Sequence, residues 1–166
     1  LKPTFRRVTF SHLPSEFLWP IPVMRGMTAN RAFVLCAEQF PSWRFTDDLD
    51  AAFPHSDRNP KSGSYVVWVR SGVEANEELK GLCANQLKEL GMKGITLTER
   101  LLLEWFYFKE TGEHLDIESW TLCAGSRDGD GNVPELNWNS NCDRFELDVT
   151  CPQQSASTLS TRVVAP

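Results

Sequence analysis

The chain has 166 residues, of which 41% are hydrophobic and 23% are charged, and this size and balance predict one globular domain over residues 1–166. Its net charge is −5, whereas binding to phosphates needs a basic face, so duplex nucleic acid is excluded as the main partner. The sequence lacks the run of about 18 apolar residues that a membrane-spanning helix requires.

The first half of the chain predicts short strands separated by turns. Runs of β-forming or apolar residues predict strands at 4–10, 31–37 and 64–70. Three prolines within 13–22 exclude a helix or a central strand there, and predict an extended segment that packs on the core. Thr46 is placed to cap a single helical turn over 47–53.

Two consecutive helices are predicted in the middle of the chain, over 74–90 and 97–111. Leucines recur at helical spacing in the first, and the second is apolar on nearly every side. Capping boxes mark both starts: Ser71 with Glu74, and Thr96 with Glu99. The second helix is therefore predicted to be the central, buried one, with Arg100 and Glu104 forming an i,i+4 pair on its narrow polar stripe.

The chain after Gly112 is acidic and predicts β-structure. From residue 113 onward it holds nine Asp and Glu against three Arg, a balance of −6, and no Lys. Strands are predicted at 117–124, 135–138, 144–149 and 161–164. Because the helices are grouped rather than alternating with strands, the fold class is predicted to be α+β, with two consecutive helices packed on a mixed or antiparallel sheet and a β-rich C-terminal third.

The predicted core combines apolar residues of both helices and of the strands around them. It consists of Phe33, Val34, Leu35, Val67, Val69, Leu82, Leu87, Leu101, Trp105, Phe106, Phe108 and Leu122.

The segment Asp128-Gly-Asp-Gly-Asn132 invites comparison with a calcium-binding loop. With Gly131 at the invariant glycine position, Asp128 and Asp130 fall on ligand positions, but the twelfth position is Asn137 instead of Glu. Asp-Gly and Gly-Asn are also common in hairpin turns. We therefore predict a turn over Asp128, Asp130 and Asn132 and no bound metal, with calcium as the alternative.

The next segment, Asn137-Trp-Asn-Ser-Asn-Cys-Asp-Arg144, combines an aromatic ring with amides and charges. Such mixtures suit recognition surfaces, in which aromatic rings supply contact area and short polar groups supply hydrogen bonds. The ligand-binding residues predicted there are Asn137, Trp138, Asn139, Asn141 and Arg144, and the turn residues Asp128, Asp130 and Asn132 are grouped with them. The alternative is an exposed hairpin loop without a binding role.

The sequence contains no catalytic motif, so an enzymatic site would have to be assembled by the fold. Cys36 or Cys123 could pair with His114 as nucleophile and base. Glu110, Glu113 and Asp116 follow the central helix, where they form either paired catalytic carboxylates or a solvated connection. No nucleotide-binding motif occurs, and no cofactor is predicted.

The order of elements, two helices and then a β-rich end closed by Arg162-Val163-Val164, resembles the variable target proteins of diversity-generating retroelements. The resemblance covers roughly residues 96–166, although the Gly-Gly-Ser-Trp type sequence of that family is missing and no Tyr follows Tyr107. It implies a C-type-lectin-like fold that displays ligand-binding residues near the C-terminus. The stretch 120–134 also resembles small bacterial proteins of unassigned function.

These observations predict a non-enzymatic protein that binds a protein or a small molecule through an acidic, Trp- and Asn-rich C-terminal surface. A small enzyme with a Cys/His or paired-carboxylate site is the alternative. The five cysteines have irregular spacing and form no C-x-x-C motif, which is typical of reduced cysteines and predicts a cytoplasmic location.

Overall fold

The computed structural model describes residues 16–166, so the strand predicted at 4–10 lies outside the described residues. The described part has the α+β fold that the sequence predicts. Its α-helices are α1 (Ala29–Ala37), α2 (Leu49–Ala52), α3 (Ala84–Glu89) and α4 (Leu97–Thr111). Its strands are β1 (Phe17–Val23), β2 (Ser42–Arg44), β3 (His55–Ser56), β4 (Tyr65–Arg70), β5 (Trp120–Leu122), β6 (Ser126–Arg127), β7 (Val133–Asn139), β8 (Arg144–Thr150), β9 (Leu159–Thr161) and β10 (Val164–Ala165).

The strands form two main sheets. A three-stranded antiparallel sheet has the order β1-β4-β10, and a five-stranded sheet has the order β2-β8-β7-β5-β9. In the larger sheet β7 is antiparallel to both of its neighbours, whereas β2 is parallel to β8 and β9 is parallel to β5. The mixed sheet that the sequence predicts is therefore confirmed. The short strands β3 and β6 pair separately.

The proline-containing segment forms the edge strand β1. Pro20 and Pro22 lie in it, and among residues 16–166 it pairs with β4 on one side only. Proline has no N–H to donate to a sheet, so an edge position suits it. The prediction of an extended segment packed on the core is confirmed by Ile21, which is fully buried.

The strand predicted at 31–37 is wrong, because this segment is the helix α1. Thr28 caps the helix by accepting a hydrogen bond from the N–H of Arg31. Ala32, Phe33 and Cys36 are buried at helical spacing, and Val34, predicted to be in the core, is 48% exposed. A short apolar run has no periodicity that separates a buried strand from a helix, and the Thr28 cap was the missed signal.

The helix predicted at 74–90 is also wrong over its first half. A 3-10 turn at Glu77–Leu79 is followed by Gly81, at a φ of 80°, and the helix α3 begins only at Ala84. Glu74 does not cap a helix, because its carboxylate accepts hydrogen bonds from the N–H groups of residues 117, 118 and 119. A long-range contact therefore replaces the predicted local one.

The central helix α4 begins and ends where the sequence predicts. Thr96 and Glu99 form the capping box, and Gly112 ends the helix in the left-handed conformation, at a φ of 73°. In the first half of α4 every residue except Thr98 is buried, whereas the aromatic residues at 105–108 are only partly buried. None of the helices in the described part of the chain has the length and apolar character needed to span a membrane.

The two faces of the five-stranded sheet are covered differently. One face packs against the main core, to which α1, α4, β1 and β4 contribute. On the other face, the end formed by β5 and β9 is covered by residues 79–87 in a smaller core. On that second face β8 and the end of β7 carry polar side chains and β2 carries Trp43, and this part of the sheet holds the candidate site.

Candidate functional site

The candidate site is a row of polar side chains on the second face of the five-stranded sheet. Because β7 and β8 are antiparallel neighbours, Glu135 lies opposite Asp148, Asn137 opposite Glu146, and Asn139 opposite Arg144. Side chains that are directly paired across strands point to the same face. We call these six residues together with Trp43 of β2, which pairs with Glu146, the carboxylate–amide face.

One end of the carboxylate–amide face is internally paired. The guanidinium of Arg144 donates to Glu146 Oε1 at 2.7 Å, and the Asn139 amide donates to Glu146 Oε2 at 3.2 Å. The Arg144 guanidinium also lies over the ring of Trp43, 5.5 Å from its centroid. Arg144 therefore neutralises Glu146 and holds it in place.

The other end of the face has buried acceptors without donors. Asn137 is only 8% exposed, and within residues 16–166 its side-chain Oδ1 has no hydrogen-bond partner. The same holds for Glu135 Oε2. A buried acceptor without a partner costs about 1–3 kcal/mol, and each such case calls for an explanation. A ligand that donates hydrogen bonds would supply the missing partners.

Glu135 also has a perturbed ionisation. Burial, and next the negative charge of Asp148 opposite, raise the pKa of Glu135 to about 7. Both causes disfavour the carboxylate form. Perturbed titrating groups are common at functional sites, although structural clusters produce them too.

Three of the predicted site residues, Asn137, Asn139 and Arg144, lie together on this face. Trp138 does not, and its prediction as a surface residue is corrected. Side chains alternate along a strand, so Trp138 points to the main core, is 8% exposed, and stacks on His114 with ring centroids 3.4 Å apart. Asn141 is exposed in the β7–β8 turn, where its N–H donates to Asn139 Oδ1.

The segment at 128–132 is a closed turn. The two carboxylate oxygens of Asp128 accept hydrogen bonds from the N–H of Asp130, the N–H of Asn132 and the Asn132 amide, at 2.8–2.9 Å. These hydrogen bonds occupy both carboxylate oxygens of Asp128 within the turn. In the described part of the chain, no group of three or more His, Cys, Asp or Glu is arranged to hold a metal ion.

Sequence reasoning missed Trp43, Glu135, Glu146 and Asp148 on the carboxylate–amide face. A signal for three of them was available, because acids alternate with apolar residues in Glu135-Leu-Asn and in Arg144-Phe-Glu-Leu-Asp148. Trp43 carried no such signal, since β2 joins the sheet by a parallel pairing between residues far apart in sequence.

Of the three carboxylates predicted after the central helix, Glu110 and Glu113 are exposed, as in a solvated connection, whereas Asp116 belongs to a buried ionic chain. Asp116 is fully buried and binds Arg100 at 2.8 Å and Arg162 at 2.7 Å. Arg100 also binds Glu104, likewise buried, at 2.8 Å. The predicted Arg100–Glu104 pair is thus confirmed, but it lies inside the protein.

The Cys/His alternative finds little support in the geometry. The thiol of Cys36 donates to the Leu101 carbonyl at 3.3 Å, and burial raises the pKa of both Cys36 and Cys123 above the usual range. The thiolate is the nucleophilic form, so these thiols are held in the unreactive form. His114 Nδ1 lies 3.0 Å from Glu104 Oε1.

A cavity of about 520 Å³ lies elsewhere, along β4 and β10. Its lining comprises Asp57, Arg58, Tyr65, Val66, Val67, Lys93, Val164 and Pro166. The Arg58 guanidinium is already bound by the buried carboxylate of Glu99, at 2.6 and 2.9 Å, which also accepts a hydrogen bond from the Tyr65 hydroxyl. Two of the polar groups that line this cavity, those of Arg58 and Tyr65, are therefore already bound by Glu99.

Comparison with known proteins adds no relative to this description. The chain matches no protein-family model, no curated protein and no solved structure.

Proposed function

We propose that this protein is a non-enzymatic binding protein and that the carboxylate–amide face is its recognition surface. The observation that carries the proposal is Asn137, a side chain more than nine-tenths buried whose Oδ1 has no donor in the described residues. It lies beside Glu135 Oε2, which is in the same condition. Acceptors kept buried in this way are satisfied when a ligand donates to them.

The placement of these groups on strands favours binding over catalysis. The polar groups of the face come from the adjacent strands β7 and β8, and rigid strands hold recognition groups well. Its partner would be a protein or a small molecule. A paired-carboxylate enzyme remains the second candidate, favoured by the raised pKa of Glu135 beside Asp148, since a general acid works best with a pKa near the ambient pH.

Two further expectations belong to this proposal. The resemblance to variable target proteins and the lectin-like fold it implies agree with a recognition role for the C-terminal third. A cytoplasmic location fits a chain in which Cys142 and Cys151, like the three buried cysteines, are free thiols.

The test is a chemical-shift titration of the isotope-labelled protein with single probes of different charge: methylammonium, guanidinium, acetate, phosphate and a methyl glycoside. We expect at least one probe to shift the backbone signals of 135–139 and 144–148 together. If no probe shifts them, or every shift maps to another surface, the proposed recognition surface is wrong. Turnover of a glycoside or ester that stops in Glu135→Gln would favour the enzyme instead.

A further inference from the structure

We infer that the ligand of the carboxylate–amide face is a cation that carries an alkylammonium or guanidinium group, and this inference rests on the proposed binding role. The shared chemistry of such ligands is a positive charge with several N–H donors on an aliphatic stem. A polyamine and a Lys or Arg side chain of a basic peptide both have it.

Two buried oxygens of the face, Asn137 Oδ1 and Glu135 Oε2, have no hydrogen-bond donor within the described residues. Arg144, the only cation of the face, is committed to Glu146 and to the ring of Trp43. Glu135 and Asp148 remain, and neither has a cation paired with it in the described residues. With Asn137 Oδ1 they present two carboxylates and one carbonyl oxygen. An anionic ligand would add a negative charge to this group, whereas an ammonium or guanidinium would match it.

The register places these acceptors around one position. Glu135 and Asp148 are directly opposite on β7 and β8, and Asn137 and Glu146 form the next pair along the strands on the same face. Directly paired side chains have Cβ atoms about 5 Å apart, and diagonal ones about 7–8 Å. Like charges directly opposite destabilise a sheet. A cation between Glu135 and Asp148 would relieve that repulsion and also reach Asn137.

Trp43 supplies the apolar area that an aliphatic stem needs. Trp43, Glu146 and Asn137 form one row across β2, β8 and β7. Trp43 is 37% exposed. It lies on the edge strand β2, on the face of the sheet that is opposite to the main core. The aliphatic stem of a polyamine or a lysine packs on such a ring while its charged end stays in contact with water or polar groups.

Cation binding should be linked to release of a proton. The charged groups that face Glu135 are Asp148 opposite and Glu146 and Arg144 farther along β8, whereas its neighbour on β5 is the uncharged Leu122. The pKa of Glu135, raised by burial and by Asp148 to about 7, should fall when a cation binds. Binding below this pH must displace the proton, so affinity should rise as pH increases from 6 to 8.

The experiment compares three probes of equal length at constant ionic strength: cadaverine, pentanediol and glutarate. Binding is followed by chemical shifts of 135–148 and by calorimetry in two buffers of different ionisation enthalpy, which counts released protons. A short peptide with two lysines, run beside cadaverine, separates a peptide source of the cation from a free polyamine. Glu135→Gln and Asp148→Asn remove one charge each, and Glu38→Gln removes one exposed charge at the end of α1 as the matched control.

We expect only the cationic probes to shift the face, with affinity weakened about fivefold or more by Glu135→Gln and by Asp148→Asn and less than about twofold by Glu38→Gln. Wild-type protein should release a proton near pH 6.5. The inference that the ligand is a cation would be overturned if pentanediol or glutarate bound as well as cadaverine, or if neither Glu135→Gln nor Asp148→Asn changed the affinity. Either result would leave the proposed recognition surface in place. The proton count needs no variant, so a misfolded variant does not decide the result, and binding of cadaverine without proton release would contradict the linkage.

Discussion

Asp116 is a fully buried carboxylate held by several side chains. Its backbone is left-handed, with a φ of 55°, and its carboxylate binds Arg100, Arg162 and the Thr121 hydroxyl. Burial by itself would raise the pKa of Asp116, but the two guanidinium groups and the hydroxyl outweigh it and hold the pKa below its usual range. The buried charge is therefore stable only as part of the ionic chain.

The variant Asp116→Asn tests this role. Asn tolerates a left-handed backbone, so the change chiefly removes charge and leaves two buried cations underneutralised. We expect a loss of about 3–5 kcal/mol in the free energy of unfolding at pH 7, measured by urea denaturation. Because the pKa is lower in the folded state, the contribution is present above the unfolded value of about 4 and is lost as pH falls through the folded value.

Asp143→Asn is the matched control for this experiment. Asp143 also has a positive φ, of 51°, but it is exposed in the β7–β8 turn. We expect it to change stability by less than about 0.5 kcal/mol. Equal losses in the two variants would mean that the buried charge of Asp116 contributes nothing beyond its backbone conformation.

Glu135 should have the opposite dependence on pH. Its pKa is about 7 in the folded protein and about 4.3 when unfolded, so between these values the folded state holds more protons and stability falls as pH rises. Glu135→Gln cannot ionise. At pH 8 we expect it to exceed the wild type in stability by about 1 kcal/mol, a figure discounted for partial exposure.

Near pH 4 the Glu135→Gln variant and the wild type should be nearly equal in urea denaturation. Glu38→Gln, an exposed change, should follow the wild type across the whole range. Parallel stability profiles for Glu135→Gln and the wild type would show that Asp148 and burial do not perturb Glu135.

At the scale of elements, α4 is positioned by a close approach of two chain segments. The N–H of Gly125 donates to the Ile95 carbonyl at 3.0 Å, and the N–H of Leu97 donates to the Ser126 hydroxyl at 2.9 Å. A Cβ at Gly125 would lie 2.7 Å from the carbonyl oxygen of Gly94. The first turn of α4 is therefore held against the segment that leads into β6.

We expect Gly125→Ala to lower the free energy of unfolding by about 1–3 kcal/mol, because backbone must move to admit the methyl group. Gly129→Ala is the control, since nothing lies within 4 Å of its added Cβ. It should be neutral or slightly stabilising, by less than about 1 kcal/mol. Both are measured by thermal and urea unfolding. Similar losses at the two glycines would refute the close approach as the cause.

At the scale of the whole molecule, calcium should leave stability unchanged. A ligand present at a hundredfold excess over its dissociation constant would add about 2.7 kcal/mol and raise the melting temperature by several degrees. We expect millimolar calcium to shift it by less than about one degree, because the Asp128 oxygens are used within their own turn. A rise that disappears in Asp128→Ala would reveal a calcium site.

The sequence determined the elements whose signals are local. The capping box of Thr96 and Glu99 predicted α4, alternation over 144–149 predicted β8, and β-forming residues predicted β4. The strand predicted at 135–138 covers part of β7. Part of the candidate site was also predictable from the sequence, because alternation along the strands places Asn137, Asn139 and Arg144 on the same face.

Only the tertiary structure decided which surfaces these elements present. The Arg100–Glu104 pair looks exposed on a helix considered alone, and it is buried because Asp116 and Arg162 arrive from distant segments to neutralise it. Trp138 turns inward because His114 and Phe40 meet it there. The carboxylate–amide face exists because β2 joins β8 while residues 79–87 cover only the other end of the sheet. Burial depends on contacts between residues far apart in the chain, which local periodicity does not encode.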